Sequence, residues 1–203
     1  MPVNYETRAK TGPKAPTDPI RSAWEIKRIK EALEDSPRDY ALFMVGINTA
    51  FRASDLLALN VGDVRYLNAG ETITVKEKKT ARTGKRRTVT FNTQAIEALQ
   101  PLLALLKDAP DDAPLFTNRY GERMTVLWLG RLVKKWCEDA RCKPGNYSSH
   151  TLRKTFGYVL RTRHRVPVEL LQQAYGHSSG AITLKYVAIQ PEELQAMYML
   201  GVE

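Results

Sequence analysis

Long hydrophobic runs are missing from this chain: no stretch approaches the ~18 uncharged apolar residues that a membrane-crossing helix needs. The opening residues, MPVNYETRAK, hold no apolar core of a secretory leader. Cysteine is scarce. Cys137 and Cys142 are the only two, too few for a dense disulfide framework or a four-ligand zinc site. No group of Asp and Glu has metal-ligand spacing, and no internal repeat is visible. These absences set aside membrane, secreted, disulfide-scaffold and metal-site classes and predict a cytoplasmic protein with reduced thiols. Negative charge is also in short supply, with 22 Asp and Glu against 31 Lys and Arg, a net +9. That balance favours a polyanionic partner.

What is present suits one domain of ordinary size: 203 residues, 43% of them hydrophobic. Residues 1–19, broken by Pro2, Pro13, Pro16 and Pro19, read as a flexible N-terminal arm or linker end, and residues 20–203 as the folded domain. From Ser22, Trp24, Ile26, Ile29, Ala32 and Leu33 recur at helical spacing. Tyr40 to Thr49 reads as a core helix and 53–59 as a short one. The β-branched, alternating segments 72–76 and 87–91 predict two strands, joined by the basic tip EKKTARTGKR. Helices are predicted over 93–107, about 125–140, 150–162 and 168–175, then a short one after Ser178-Ser179 and a last one at about 191–202. The fold class is therefore mainly α with a small antiparallel β-sheet.

A few polar residues stand near predicted helix ends. Arg52 follows an apolar helix, and Asp55 lies three residues on, within reach of its guanidinium. His150 and Arg153 share one face of a helix start, where unpaired N–H groups favour an anion. His177 follows a glycine break, and Tyr186 comes nine residues later among apolar neighbours. Taken singly these are a cap, a surface charge and a core tyrosine. Taken together they are two phosphate-shaped guanidiniums, two imidazoles that trade protons near neutral pH, and a phenol able to become a nucleophile.

The spacing carries a resemblance. Thr49-Ala50-Phe51-Arg52-Ala53-Ser54-Asp55-Leu56-Leu57-Ala58-Leu59 is similar to the first box of the tyrosine recombinases, or phage integrases, an arginine in T-G-L-R-x-S-E-L-L-x-L. His150-Thr151-Leu152-Arg153 matches their H-x-x-R. Tyr175-Gly176-His177-Ser178-Ser179 with Tyr186 resembles their L-G-H-x-S and the tyrosine nine residues past the histidine. The boxes run in family order over about residues 20–190. Ala50, Phe51 and Asp55 depart from the family's Gly, Leu and Glu; Asp55 keeps a carboxylate on a shorter arm.

The resemblance implies a catalytic domain that cleaves and rejoins duplex DNA without cofactor, metal or ATP. It implies Tyr186 as the nucleophile forming a 3′-phosphotyrosyl link, with Arg52 and Arg153 on the non-bridging oxygens and Asp55 in support. His150 would assist proton removal and His177 donate to phosphate. The family's catalytic lysine sits on a β-hairpin; Lys79 fits best, with Lys78 and Lys85 as rivals. Lys78, Arg82, Lys85, Arg86 and Lys154 are expected DNA contacts. Expected partners are double-stranded DNA, further copies of the chain in a tetramer, and accessory DNA-bending proteins, in a nucleoid setting. The 191–202 segment would dock on its own core or a neighbour. Most members carry an N-terminal DNA-clamping domain for which this chain has no room, so a fragment or a lone catalytic domain is expected. A type IB topoisomerase and a non-catalytic DNA-binding module are the alternatives.

Overall fold

The computed structural model describes residues 16–76, 86–187, 195 and 197–200. The expected architecture is present: mostly helix, with one two-stranded antiparallel sheet. The helix α1 (Ala23–Ala32) starts at a reciprocal cap, in which the Ser22 hydroxyl accepts from the Trp24 N–H and Glu25 accepts from the Ser22 N–H. The other oxygen of buried Glu25 accepts from the Lys143 N–H at 2.8 Å, tying α1 to the loop near residue 143.

The centre is α2 (Pro37–Asn48), whose residues Ala41 to Gly46 are all buried. It starts three residues before the predicted Tyr40, because Pro37 occupies the first helical position with its backbone already set for a helix. Around it pack α4 (Thr93–Leu105) and α6 (Thr151–Thr162). The predicted helix 53–59 is the single turn α3 (Ala53–Leu56), followed by a 3-10 turn at Val61–Asp63. The amphipathic α5 (Val126–Asp139) packs against α1 and α3, burying Leu129, Val133, Trp136 and Cys137.

The sheet pairs β1 (Thr72–Lys76) with β2 (Arg86–Thr90), Thr72 opposite Thr90 and Val75 opposite Arg87. Strand alternation turns Arg87 and Val89 inward and leaves Arg86, Thr88 and Thr90 exposed. Lys78, Lys79, Arg82 and Lys85 lie outside the described residues, as do most of the predicted 191–202 helix and residues 1–15.

Two apolar clusters result. The larger joins α1 to α5; a smaller one, Ala50, Leu171, Tyr175 and Val187, seats α7 (Val168–Tyr175) and α8 (Gly180–Val187) on α6. Residues 16–19, placed by sequence in the flexible arm, belong to the packed body. The Asp18 N–H donates to the Asn146 carbonyl and the Asn146 N–H to the Asp18 carboxylate, the Asp18 carbonyl accepts from the Thr151 hydroxyl at 2.9 Å, and Ile20 is fully buried. This short strap fixes the start of α6, where His150 and Arg153 stand.

Candidate active site

Arg153 lies in the first turn of α6 and is 2% exposed, not the surface charge its helix-start position suggests. Its Nη1 donates to the Ala50 carbonyl and its Nη2 to the Tyr175 carbonyl at 2.8 Å. One guanidinium thus ties the exit of α2 to the end of α7. Its Nε–H is buried and has no hydrogen-bond partner among the described residues. Burial, then the nearby Arg87 and Arg52, pushes the Arg153 pKa down to about 10. The group stays charged at neutral pH, in a poorly hydrated place already rich in positive charge. An arriving anion would relieve both costs.

Arg52 caps α3, partly buried, with its Nη1 3.8 Å from the Oδ2 of buried Asp55. The Asp55 carboxylate also accepts from the Ser54 hydroxyl at 3.2 Å. The third guanidinium, Arg87, opens the predicted strand 87–91 and has no site role in the sequence reading. Strand alternation turns it inward to 8% exposure, where its Nη1 donates to the Ala174 carbonyl at 3.3 Å and its Cζ lies 5.5 Å from the Phe51 ring. The inward-facing Val89 and Phe91 carry the signal that places it there. Arg86, one residue away, is exposed and lines a cleft of about 410 Å³ with His177 and Gln173.

Gly176 ends α7 with φ of 64°, the left-handed cap that glycine adopts without strain, and this reversal swings His177 back over Tyr175. The two rings stack at 4.9 Å and 18°. His177 Nδ1 lies 3.0 Å from the hydroxyl of fully buried Thr183, and its Nε2 is 3.4 Å from Arg153 Nη2. A hydroxyl can donate or accept, so Thr183 serves either imidazole tautomer. Neither Tyr175 nor Thr183 stood out as functional in the sequence.

Tyr186, in the last turn of α8, closes the group. Its ring centre is 4.7 Å from that of His177, 5.3 Å from that of Tyr175 and 5.7 Å from Arg153 Cζ. Lys154, expected at the DNA surface, is buried to 8% exposure instead. The face of α6 that follows Arg153 turns toward α8, so its ammonium lies 5.6 Å from the Tyr186 ring and 3.4 Å from the Lys185 carbonyl. Burial lowers the Lys154 pKa from its ordinary value. His150 precedes α6 as its cap residue and is exposed, its backbone N–H donating to the Ser148 hydroxyl at 3.3 Å. The structure thus gathers Arg52, Asp55, Arg153, His177 and Tyr186 with Arg87, Tyr175 and Thr183. Among the described residues, no three His, Cys, Asp or Glu side chains group as metal ligands, and no helix is long and apolar enough to cross a membrane.

The profile of the phage integrase family matches residues 22–193. The chain is 34% identical over 186 residues to the probable integrase/recombinase YoeC of Bacillus subtilis (strain 168), covering 89% of this chain and 94% of that protein. It is 28% identical over 176 residues to the tyrosine recombinase XerC of Caldanaerobacter subterraneus, covering 84% of this chain but 47% of that one. The crystal structure of the XerA recombinase superposes with a TM-score of 0.73 at 27% identity, over 95% of this chain and 65% of that chain.

Proposed function

The chain belongs to the phage integrase family, and from that premise we propose that it breaks and rejoins duplex DNA through a phosphotyrosine at Tyr186. The observation that carries this reading is the convergence of the Tyr186 ring, the Arg153 guanidinium and the His177 imidazole within 6 Å of one another, from α8, α6 and the turn between α7 and α8. A lone phenol needs a positive field to act near neutral pH, and Arg153 and Lys154 stand over its ring.

In the proposed step, the Tyr186 oxygen attacks the scissile phosphorus, a P–O(Tyr) bond forms and the bond to the 5′-oxygen breaks. The phenolic proton passes toward His150 and the leaving 5′-oxygen takes a proton from Lys79, as the family resemblance implies for those two residues. Arg52 and the uncommitted Nε–H of Arg153 receive the non-bridging oxygens, where charge builds in the transition state. Arg87 adds a fixed positive charge behind Arg153. His177, its Nδ1 held by the Thr183 hydroxyl, is the imidazole that would donate to the phosphate, as the family resemblance implies. Attack of a free 5′-hydroxyl on the phosphotyrosine reverses the sequence and reseals DNA with no outside energy source. Guanidiniums supply the charge that a metal ion supplies elsewhere.

The likeness to a relative named integrase/recombinase along nearly its whole length supports joining of DNA partners over supercoil relaxation. Double-stranded DNA is the proposed substrate, bound by several copies of the chain, and the net +9 charge makes that binding salt-sensitive. Covalent trapping tests the reading. Nicked duplexes taken from the DNA flanking the protein's own gene should leave an adduct on a denaturing gel. No adduct, or an equal one from Tyr186→Phe, overturns it.

A further inference from the structure

Tyr175 touches three residues of the proposed site, Arg153, His177 and Tyr186. Its phenol donates to the backbone carbonyl of Arg153 at 2.8 Å, and its own carbonyl accepts from Arg153 Nη2 at 2.8 Å. Its ring lies 4.6 Å from the Arg153 Cζ, stacks on His177, and faces Tyr186. Phe156 meets it edge-on at 6.1 Å, and the side chain is fully buried. A tyrosine can sit this deep against α6 only because the helix has a notch there. At Gly157, a β-carbon would meet the phenol oxygen itself and lie 2.8 Å from Cζ and 3.0 Å from Cε2. Glycine inside a helix is otherwise a costly choice, since it weakens the helix relative to alanine.

We propose that Gly157 and Tyr175 are a matched pair: Gly157 is the notch that admits the phenol, and Tyr175 is the positioning residue that sets Arg153 and His177 in register with Tyr186. Two hydrogen bonds clamp Arg153 at its backbone carbonyl and at its guanidinium. The stack fixes the plane of the imidazole, while Thr183 fixes its rotation about that plane. Displacing the phenol by one methyl group moves both catalytic partners at once, because a side chain buried on every face has nowhere to yield alone.

The pairing reverses an ordinary expectation, and that makes it testable. If Gly157 mattered only to the helix, Gly157→Ala would raise the melting temperature and leave cleavage untouched. The pairing predicts cleavage slower by about 30-fold or more, with affinity for the same duplex within about threefold of wild type. Tyr175→Phe keeps the ring and loses only the phenol oxygen, so it should cleave about threefold more slowly. Added to Gly157→Ala, it removes the nearest of the three atoms the β-carbon meets and should make cleavage faster than in Gly157→Ala alone. Tyr175→Leu leaves the notch but no ring, and should cleave as slowly as Gly157→Ala.

The cleavage readout rests on the proposed recombinase chemistry, so a second readout needs no DNA. The chain has three histidines, and the stacked His177 imidazole should show ring-proton resonances displaced by the Tyr175 ring. Gly157→Ala should move those of His177 and leave those of His150 and His164 in place. Displaced His177 resonances from a wild type that forms no adduct would uphold the pair and overturn the functional reading alone. Unmoved His177 resonances in folded Gly157→Ala would overturn the pair, as would a folded double variant no faster than Gly157→Ala. Should Gly157→Ala not fold, Tyr175→Leu decides: wild-type cleavage by that variant overturns the pair.

Discussion

The hydroxyl of Thr183 lies 3.0 Å from Nδ1 of His177, and Thr183 is fully buried while the imidazole is only partly so. A residue from α8, the helix that carries Tyr186, therefore sets the orientation of the histidine that faces it. Replacing Thr183 by valine keeps the volume and removes the bond. Thr183→Val should fold normally and cleave DNA about five- to tenfold more slowly, the effect of one oriented hydrogen bond of ~1 kcal/mol. Single-turnover rates on a nicked duplex check it; an unchanged rate contradicts the role.

Arg153 makes two carbonyl bonds that an ammonium cannot reproduce together, because only a planar fork reaches both. Arg153→Lys should lower cleavage by ~10² to 10³-fold, the range found when a fixed transition-state donor is lost. It should also destabilise the fold by about 2 kcal/mol, since a buried carbonyl of Ala50 or Tyr175 is left without its donor. Urea denaturation alongside the cleavage assay separates the two effects.

Lys154 and Arg86 make opposite predictions for DNA binding. Arg86 is exposed beside the cleft that His177 lines, whereas Lys154 is buried against α8. Arg86→Ala should reduce the slope of log affinity against log salt by about 1, and Lys154→Met should leave that slope unchanged. Titrations at several salt concentrations decide between them.

Lys154 also predicts how stability depends on pH. Burial holds its pKa below the ordinary 10.5, so the folded chain binds this proton less tightly than the unfolded chain does. Its cost to stability is greatest where the lysine is charged in both states. That cost is removed as pH rises through the folded-state pKa toward 10.5. The stability gap between Lys154→Met and wild type should therefore narrow between neutral pH and 10.5, as read from denaturant midpoints. A gap that stays constant contradicts the burial.

The helices were legible because their periodicities and caps are local. The helical spacing of Trp24, Ile26, Ile29 and Leu33 after Ser22 marked α1, and alternation marked β1 and β2 within a residue. Four features needed the tertiary structure. Arg153 and Lys154 looked like surface charges, since nothing at their positions shows that α7 and α8 fold over the start of α6. Arg87 was lost in a run of cations, although its parity with Val89 and Phe91 already pointed inward. Tyr175 carried no role in its box because its value lies in what stacks upon it, and Gly157 gives no sequence signal until its neighbour is known. Residues 16–19 read as an arm because of Pro16 and Pro19, yet Pro19 is buried and Asp18 is bonded to Asn146 and Thr151.

The central claim is a covalent bond between Tyr186 and DNA, and the most direct measurement is the mass of the peptide that carries it. Wild-type protein trapped on a nicked duplex, digested with nuclease and protease, should yield the peptide containing Tyr186 heavier by a 3′-linked nucleotide, with a 5′-hydroxyl on the released strand. A nucleotide carried by any other residue, or a 5′-linked one on Tyr186, would contradict the account.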